Sequence, residues 1–237
     1  MRTKNTVRGH TMTQYDTIAE QYHNETEADL FRNNKEKLQT ELVERPKIVD
    51  PQNWDVLDVG CGTGIHLEFF AEKFSTIKSA AGIDQSEEMI RIATQKKRSP
   101  LTSYVVGDMD KLPFPDNSFD FIFSRNALHY SDDLSVTFAE ISRVLKPEGQ
   151  VSFQVNHPLH NLFMKNDKNY SKKEILNYAI QGGKTQVAHP TYTISEYVNA
   201  ITSNKLHISE MHEYDGRSSE INGYTVPTVL SMLVTKL

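Results

Sequence analysis

Short apolar runs alternate with amphipathic stretches along most of this chain. Tyr15, Ile18, Ala19 and Tyr22, then Leu30, Phe31, Leu38 and Leu42, recur at helical spacing and predict two amphipathic helices between Thr13 and Glu44, closed by Pro46. Trp54 to Val59 reads as a buried strand. It runs into Gly60-Cys61-Gly62-Thr63-Gly64 and then into a helical pattern through Leu67, Phe70, Ala71 and Phe74. A second unit pairs the strand Ser79 to Asp84 with a helix whose Ser86 can cap its first backbone donors. Further strands are expected at Thr102 to Val106, Phe119 to Phe123 and Val151 to Val155. A helix from about Asp133 to Leu145 stops at Lys146-Pro147-Glu148-Gly149. Beyond a polar stretch from Asn156 to Pro190, expected to be a long loop of the lid type, come a helix at Thr193 to Ser203 and strands at Ile208 to Tyr214 and Thr228 to Thr235.

Strands that alternate with helices need crossover connections, which build a parallel sheet covered on both faces. The expected fold is therefore α/β: a doubly wound, mostly parallel seven-stranded sheet with an N-terminal helical cap. We read residues 1–237 as a single domain with a cap at 13–45, a core at 54–155, and a segment at 156–237 that holds an insertion and the final helix and strands.

Composition narrows the partners. The net charge is -5 and the pI about 6.0, so no overall positive field exists to hold nucleic acid, and polyanionic partners are disfavoured. No apolar run is long enough to span a membrane, and Met1 to Thr11 is polar and basic, without the apolar core of a signal peptide; it reads as a frayed extension. The single cysteine, Cys61, can form neither an internal disulfide nor a cysteine-based zinc site, which fits a reducing, cytoplasmic setting. Oligomeric state leaves no trace in the sequence.

Glycines after a strand let backbone approach a ligand and leave helix N–H groups facing it. A dinucleotide fingerprint from Gly60 would need a small residue where Ile65 stands, and one from Gly62 meets Leu67 instead. No Lys-Ser/Thr pair follows to form a phosphate loop. A nicotinamide-dependent oxidoreductase is opposed on the same ground. Asp84, at the end of the second strand, can accept both hydroxyls of a ribose, and Asp108, after the third, can accept an adenine amino group beside Met89 and Met109. The expected ligand is a nucleoside.

Val56-Leu57-Asp58-Val59-Gly60-Cys61-Gly62-Thr63-Gly64, Gly82-Ile83-Asp84-Gln85-Ser86, Gly107-Asp108-Met109, Phe119-Asp120-Phe121-Ile122 and Leu145-Lys146-Pro147-Glu148-Gly149 together resemble the class I S-adenosylmethionine-dependent methyltransferases. Their order and spacing match across residues 54–155, and Ala127-Leu128-His129-Tyr130 with Asn156-His157-Pro158 resemble a small-molecule subgroup. The resemblance implies a Rossmann-like methyltransferase fold, with Gly60, Gly62 and Gly64 around the methionine part of S-adenosyl-L-methionine. Asp84 then holds the ribose, and Asp108 with Met109 the adenine. It extends the cofactor-binding set to Asp58, Cys61, Gln85, Met89, Ser124 and Arg125, and makes Tyr15-Asp16-x-Ile18-Ala19-x-x-Tyr22 a lid from which Tyr22 touches the cofactor carboxylate. Glu148 departs from the family's glycine at a turn away from the cofactor.

Methyl transfer from a sulfonium is an in-line displacement, so the protein chiefly aligns the acceptor. A hydroxyl or amine acceptor also calls for a base, for which His129, His157 and Tyr130 are candidates at strand ends. Each can equally serve as a structural hydrogen-bonding residue. His129, His157, His160 and His189 share no i,i+4 metal pairing and no acidic ligand, so no metal is expected. Asn156-His157-Pro158-Leu159 resembles a loop of amino-group DNA methyltransferases but follows the fifth strand instead of the fourth. The expected activity is methylation of an O, N or C atom of a small molecule, with a catalytically silent S-adenosylmethionine-binding regulator or scaffold as the alternative.

Overall fold

The computed structural model describes residues 6–7, 10–11, 13–29, 44, 47–48, 51–180, 185–214, 220–221 and 223–237. Nine strands and six α-helices organise most of the described residues, apart from two two-residue ladders at 6–11 and 220–225. The strands are β1 (Asp55–Val59), β2 (Ser79–Asp84), β3 (Thr102–Val106), β4 (Phe119–Arg125), β5 (Leu145–Asn156), β6 (Ile175–Ile180), β7 (Thr185–Pro190), β8 (Leu206–Tyr214) and β9 (Val229–Lys236). The helices are α1 (Ala19–Asp29), α2 (Ile65–Lys73), α3 (Glu87–Gln95), α4 (Leu134–Val144), α5 (Pro158–Met164) and α6 (Ile194–Thr202).

Seven strands form one sheet in the order β8-β9-β5-β4-β1-β2-β3. The neighbours from β5 to β3 pair in parallel, whereas β9 lies antiparallel between β5 and β8. The order reverses beside β1, which opens a crevice beyond the strands' C-terminal ends, where ligands of such sheets bind. Alternate residues of the central strands feed two cores. Leu57, Val59, Ile83 and Phe153 pack with Phe138 of α4 and Tyr197 of α6, while Val56, Ala80, Phe121 and Phe123 pack with Leu67 and Phe70 of α2. Phe70 stacks on Phe121 and Phe123 at 5.7 and 5.6 Å, and truncating such a ring costs about 3–5 kcal/mol.

Capping follows the expected chemistry. Ser86 accepts from Met89 N at the start of α3, Asp133 caps α4, and Thr193 forms a reciprocal capping box with Glu196 on α6. Glu148 adopts a φ of 63°, the left-handed turn where the resembling family has glycine.

The polar stretch after Asn156 corrects the sequence reading, for it is not one long loop. It holds α5, opened by Pro158 at its first turn, and the antiparallel hairpin β6-β7. Between them, the buried Lys165 ammonium donates to the carbonyls of Asn169 (2.9 Å) and Lys172, giving this polar segment an internal anchor. Of the two predicted N-terminal helices, the first is α1; the second falls outside the described residues.

Candidate active site

β1 ends in a bend of three glycines, Gly60, Gly62 and Gly64, with φ values of 75°, 53° and 77° that L side chains rarely adopt. Gly60 N and Cys61 N both donate to Ile83 O, tying the bend to β2. A Cβ on Gly60 would sit 2.1 Å from Ala127 Cβ, and one on Gly64 would sit 2.6 Å from the Tyr104 hydroxyl. Gly62 is different: its nearest neighbours would be Tyr22 Cε1 at 3.9 Å and Met89 Sδ at 4.0 Å, so it forms the floor of a cradle beneath those two side chains. Cys61 is buried against Gly82 and fills space in the bend, and burial raises its thiol well above the usual range. Under the bend, the Glu68 carboxylate accepts from Arg98 N, Ser99 N, Thr102 Oγ1 and Tyr104 Oη, a support that sequence spacing did not reveal.

Asp84 stands at the C-terminal end of β2, where its two oxygens accept from Gly62 N and Ser86 N, each at 2.9 Å. Each oxygen keeps a lone pair for a second donor. Burial raises its pKa, and those backbone bonds oppose the rise. Asp108 lies beyond the adjacent β3, exposed, with Gln85 Nε2 donating to it at 2.7 Å. Gln85 thus links the two acids, and Gly107 N donates to Asp84 O. Met109 is half-buried against the main core nearby, whereas Met89 is buried with Ala19 and Ile92 beneath Tyr15 and Tyr22.

Asp58 projects from β1 into the same bend. It is 2% exposed, and its Oδ2 is buried without a partner among the described residues. Burial raises its carboxyl well above the usual carboxylate range, Asp84 adds to the rise, and the Arg125 charge opposes it. Arg125, at the end of β4, also approaches Nε2 of His66, at 3.3 Å; burial keeps that imidazole neutral. Ser124 serves the frame rather than the hollow, since its hydroxyl donates to Val59 O at 2.7 Å.

The segment before α1 closes over this hollow. Asp16 accepts from Ser86 Oγ at 2.6 Å, and Gln14 exchanges two hydrogen bonds with the backbone of Ala188 on β7. Between these anchors the Tyr15 ring meets Tyr22 and Tyr130 edge-on, and its hydroxyl lies 2.7 Å from that of Tyr130.

The three proposed bases separate here. His129 and Tyr130 sit in a single 3-10 turn after β4, on the lid side of the bend. His157 is corrected to a structural role. It is fully buried, its Nδ1 accepts from Leu159 N to cap α5, and its Nε2 pairs with Glu213 at 2.7 Å, so neither nitrogen is left for an acceptor. Its place as Ncap before a proline was the signal available in the sequence.

This sheet order, with the glycine bend after its first strand and acids after the second and third, is that of the class I S-adenosylmethionine-dependent methyltransferases. Residues 57–153 match a family described as a methyltransferase domain. The fold is similar to that of an S-adenosylmethionine-dependent methyltransferase from Mesorhizobium loti, with a TM-score of 0.63 at 21% identity over 81% of this chain and 95% of that one. In sequence, the chain is 38% identical to a malonyl-[acyl-carrier protein] O-methyltransferase from Hamiltonella defensa, over 43% of this chain and 37% of that protein. It is 36% identical to a demethylmenaquinone methyltransferase from Bacillus licheniformis, over 43% and 44% respectively. The chain therefore spans under half the length of these two curated relatives. No helix of the described residues is long and apolar enough to cross a membrane.

The residues fit S-adenosylmethionine. The Asp58 oxygen, buried without a partner among the described residues, suits the ammonium of its methionine end, and the charge of Arg125 suits the carboxylate beside it. The Gly62 floor accepts backbone-close contact, and the spare lone pairs of Asp84 suit two ribose hydroxyls.

Proposed function

We propose that this protein transfers a methyl group from S-adenosylmethionine to an O, N or C atom of a small molecule. The observation that carries the reading is the buried Asp58 Oδ2, which has no partner among the described residues and feels the opposed charges of Arg125 and Asp84. In this reading Asp58 and Arg125 hold the amino-acid end, Gly60, Gly62 and Met89 shape the cradle, and Tyr22 covers it. Asp84 holds the ribose, while Asp108, steered by Gln85, takes the adenine with Met109 beside it. When bound, S-adenosylmethionine supplies a methyl group already activated on a sulfonium sulfur.

The chain's own task is alignment and exclusion of water, which the anchored segment 13–18 performs by closing over the hollow. On the acceptor side, burial keeps His129 neutral, which leaves its imidazole free to hydrogen-bond a hydroxyl or amine while making it a weak base, and Tyr130 orients the acceptor beside it. The two relatives are named for different acceptors although they match over similar lengths of this chain. The acceptor is accordingly set, in this reading, by the cap and by the region from His157 to Pro190. A cytoplasmic setting, supported by the single buried cysteine, belongs to the same proposal.

Calorimetric titration with S-adenosylhomocysteine should show 1:1 binding in the micromolar range. Labelled methyl from S-adenosylmethionine should then enter a small molecule of a metabolite extract, identifiable by mass. Folded protein that binds neither form of the cofactor would refute the reading; binding without any label transfer would refute the catalytic part alone.

A further inference from the structure

Beyond the glycine bend, side chains from the lid, the turn after β4, helix α5 and the β6-β7 hairpin meet ring to ring. His129 lies 4.5 Å, centroid to centroid, from both Tyr130 and His189, and Tyr178 stacks on His189 at 4.9 Å and 25°. Hydrogen bonds fix what most of these rings can offer. His189 donates from Nδ1 to the Pro190 carbonyl at 2.8 Å, so its bare Nε2 accepts from Asn156 Nδ2 at 3.1 Å. The Tyr178 hydroxyl donates to Asn161 Oδ1 and accepts from His160 Nδ1 at 2.9 Å. Those polar atoms are spent within the protein.

His129 Nδ1 is not. The ring is 2% exposed, and this nitrogen has no hydrogen-bond partner among the described residues. A buried polar atom left in this way costs on the order of 1–3 kcal/mol unless something else satisfies it. The cluster carries little charge of its own: His129, His160, Tyr178 and His189 feel other histidines, Tyr130 and the Pro190 carbonyl, and the carboxylates lie at its margin, Glu213 paired with His157 and Asp84 acting on Tyr15. An ion brought there would lose its hydration without gaining a counter-charge. Ring faces, by contrast, favour a flat partner.

We infer that this cluster is the acceptor subsite, and that it takes an uncharged, flat, hydroxyl-bearing molecule whose hydroxyl bonds His129 Nδ1. A hydroxyl both donates and accepts, so it satisfies that nitrogen in either tautomer. The rings pack against one another, and the Tyr15–Tyr130 and Gln14–Ala188 contacts tie the lid to them, so a ligand reaches His129 only when the lid segment releases. This assignment rests on the methyltransferase reading, and the experiment separates the two.

Protein saturated with S-adenosylhomocysteine is titrated calorimetrically with 2-naphthol and with 2-naphthoate at pH 7.5. The naphthol should bind, and the naphthoate at least about tenfold more weakly. His129→Leu should lose about tenfold in naphthol affinity, whereas His129→Asn, which keeps a polar atom near Nδ1, should stay within about threefold of wild type. S-adenosylhomocysteine affinity and melting temperature serve as the fold control. Should His129→Leu fail to fold, the wild-type naphthol and naphthoate pair with His129→Asn decides the matter. Equal or tighter naphthoate binding, no naphthol binding, or unchanged naphthol affinity in a folded His129→Leu would each overturn the assignment. Failure of wild type to bind S-adenosylhomocysteine would overturn the cofactor reading beneath it.

Discussion

The buried carboxyl of Asp58 weakens the fold that holds it. Its carboxyl has a raised pKa because burial and the neighbouring Asp84 both disfavour the charge. Between the unfolded and folded pKa values, the folded chain keeps a proton that the unfolded chain has lost. Stability therefore falls as pH rises through that window, and the full penalty is present above it. Replacing Asp58 by Asn removes the charge. Thermal melting of Asp58→Asn without cofactor should give a higher melting temperature than wild type at pH 8, by a margin that shrinks toward pH 4. The same variant should bind S-adenosylhomocysteine at least about tenfold more weakly, because a charged hydrogen bond contributes about 1.5–3 kcal/mol. A variant that melts below wild type at pH 8, or binds the cofactor product unchanged, would remove Asp58 from the role assigned to it.

At the level of elements, the parallel half of the sheet was legible because buried strands read as short apolar runs and the helices after β2 and β4 carry their own capping residues, Ser86 and Asp133. Asp84 and Asp108 could be placed in one crevice from sequence because strand ends share an edge whatever the loop details. The region 156–190 was misread for a physical reason: it packs polar side chains against one another and against backbone. Lys165 is buried among carbonyls, and α5 is only seven residues long, too short to display a periodic apolar face. Gly182-Gly183 between two short runs was an available hairpin signal. In sequence His157 fits both a base and a structural residue, because residue type alone does not separate a helix cap from a proton acceptor. His157→Ala should lower stability by about 1 kcal/mol, and His157→Asn, a good Ncap, should restore most of it. Urea unfolding of the three proteins measures this. A loss of turnover that Asn does not recover, at unchanged stability, would return His157 to the list of bases.

Across the whole molecule, the polar residues that build the site also set its response to acid. His23, His66, His129, His157, His160 and His189 all have pKa values below the ordinary histidine range, in each case because burial disfavours the imidazolium. Four of them, His129, His157, His160 and His189, stand in or beside the ring cluster that joins lid, hairpin and sheet, and His66 pairs with Arg125 beneath the glycine bend. As pH falls through 6.5 the unfolded chain takes up protons at these positions while the folded chain does not. Their contribution is therefore complete above about pH 6.5 and is lost below it, by up to about 1.4 kcal/mol per pH unit for each proton. Asp58, Asp84 and Asp110 have raised values and push the other way, since each folded carboxyl keeps a proton that the unfolded chain gives up above about pH 4. Six histidines against three acids leave a net loss, so the urea midpoint should drop markedly between pH 7.5 and pH 5.5. His129→Asn should flatten that slope by about one proton's worth, because it removes one of the six groups. A midpoint constant across this range, or a slope unchanged in the variant, would mean that these imidazoles are hydrated and can take up protons in the folded protein, and the closed, dry site described above would have to be abandoned.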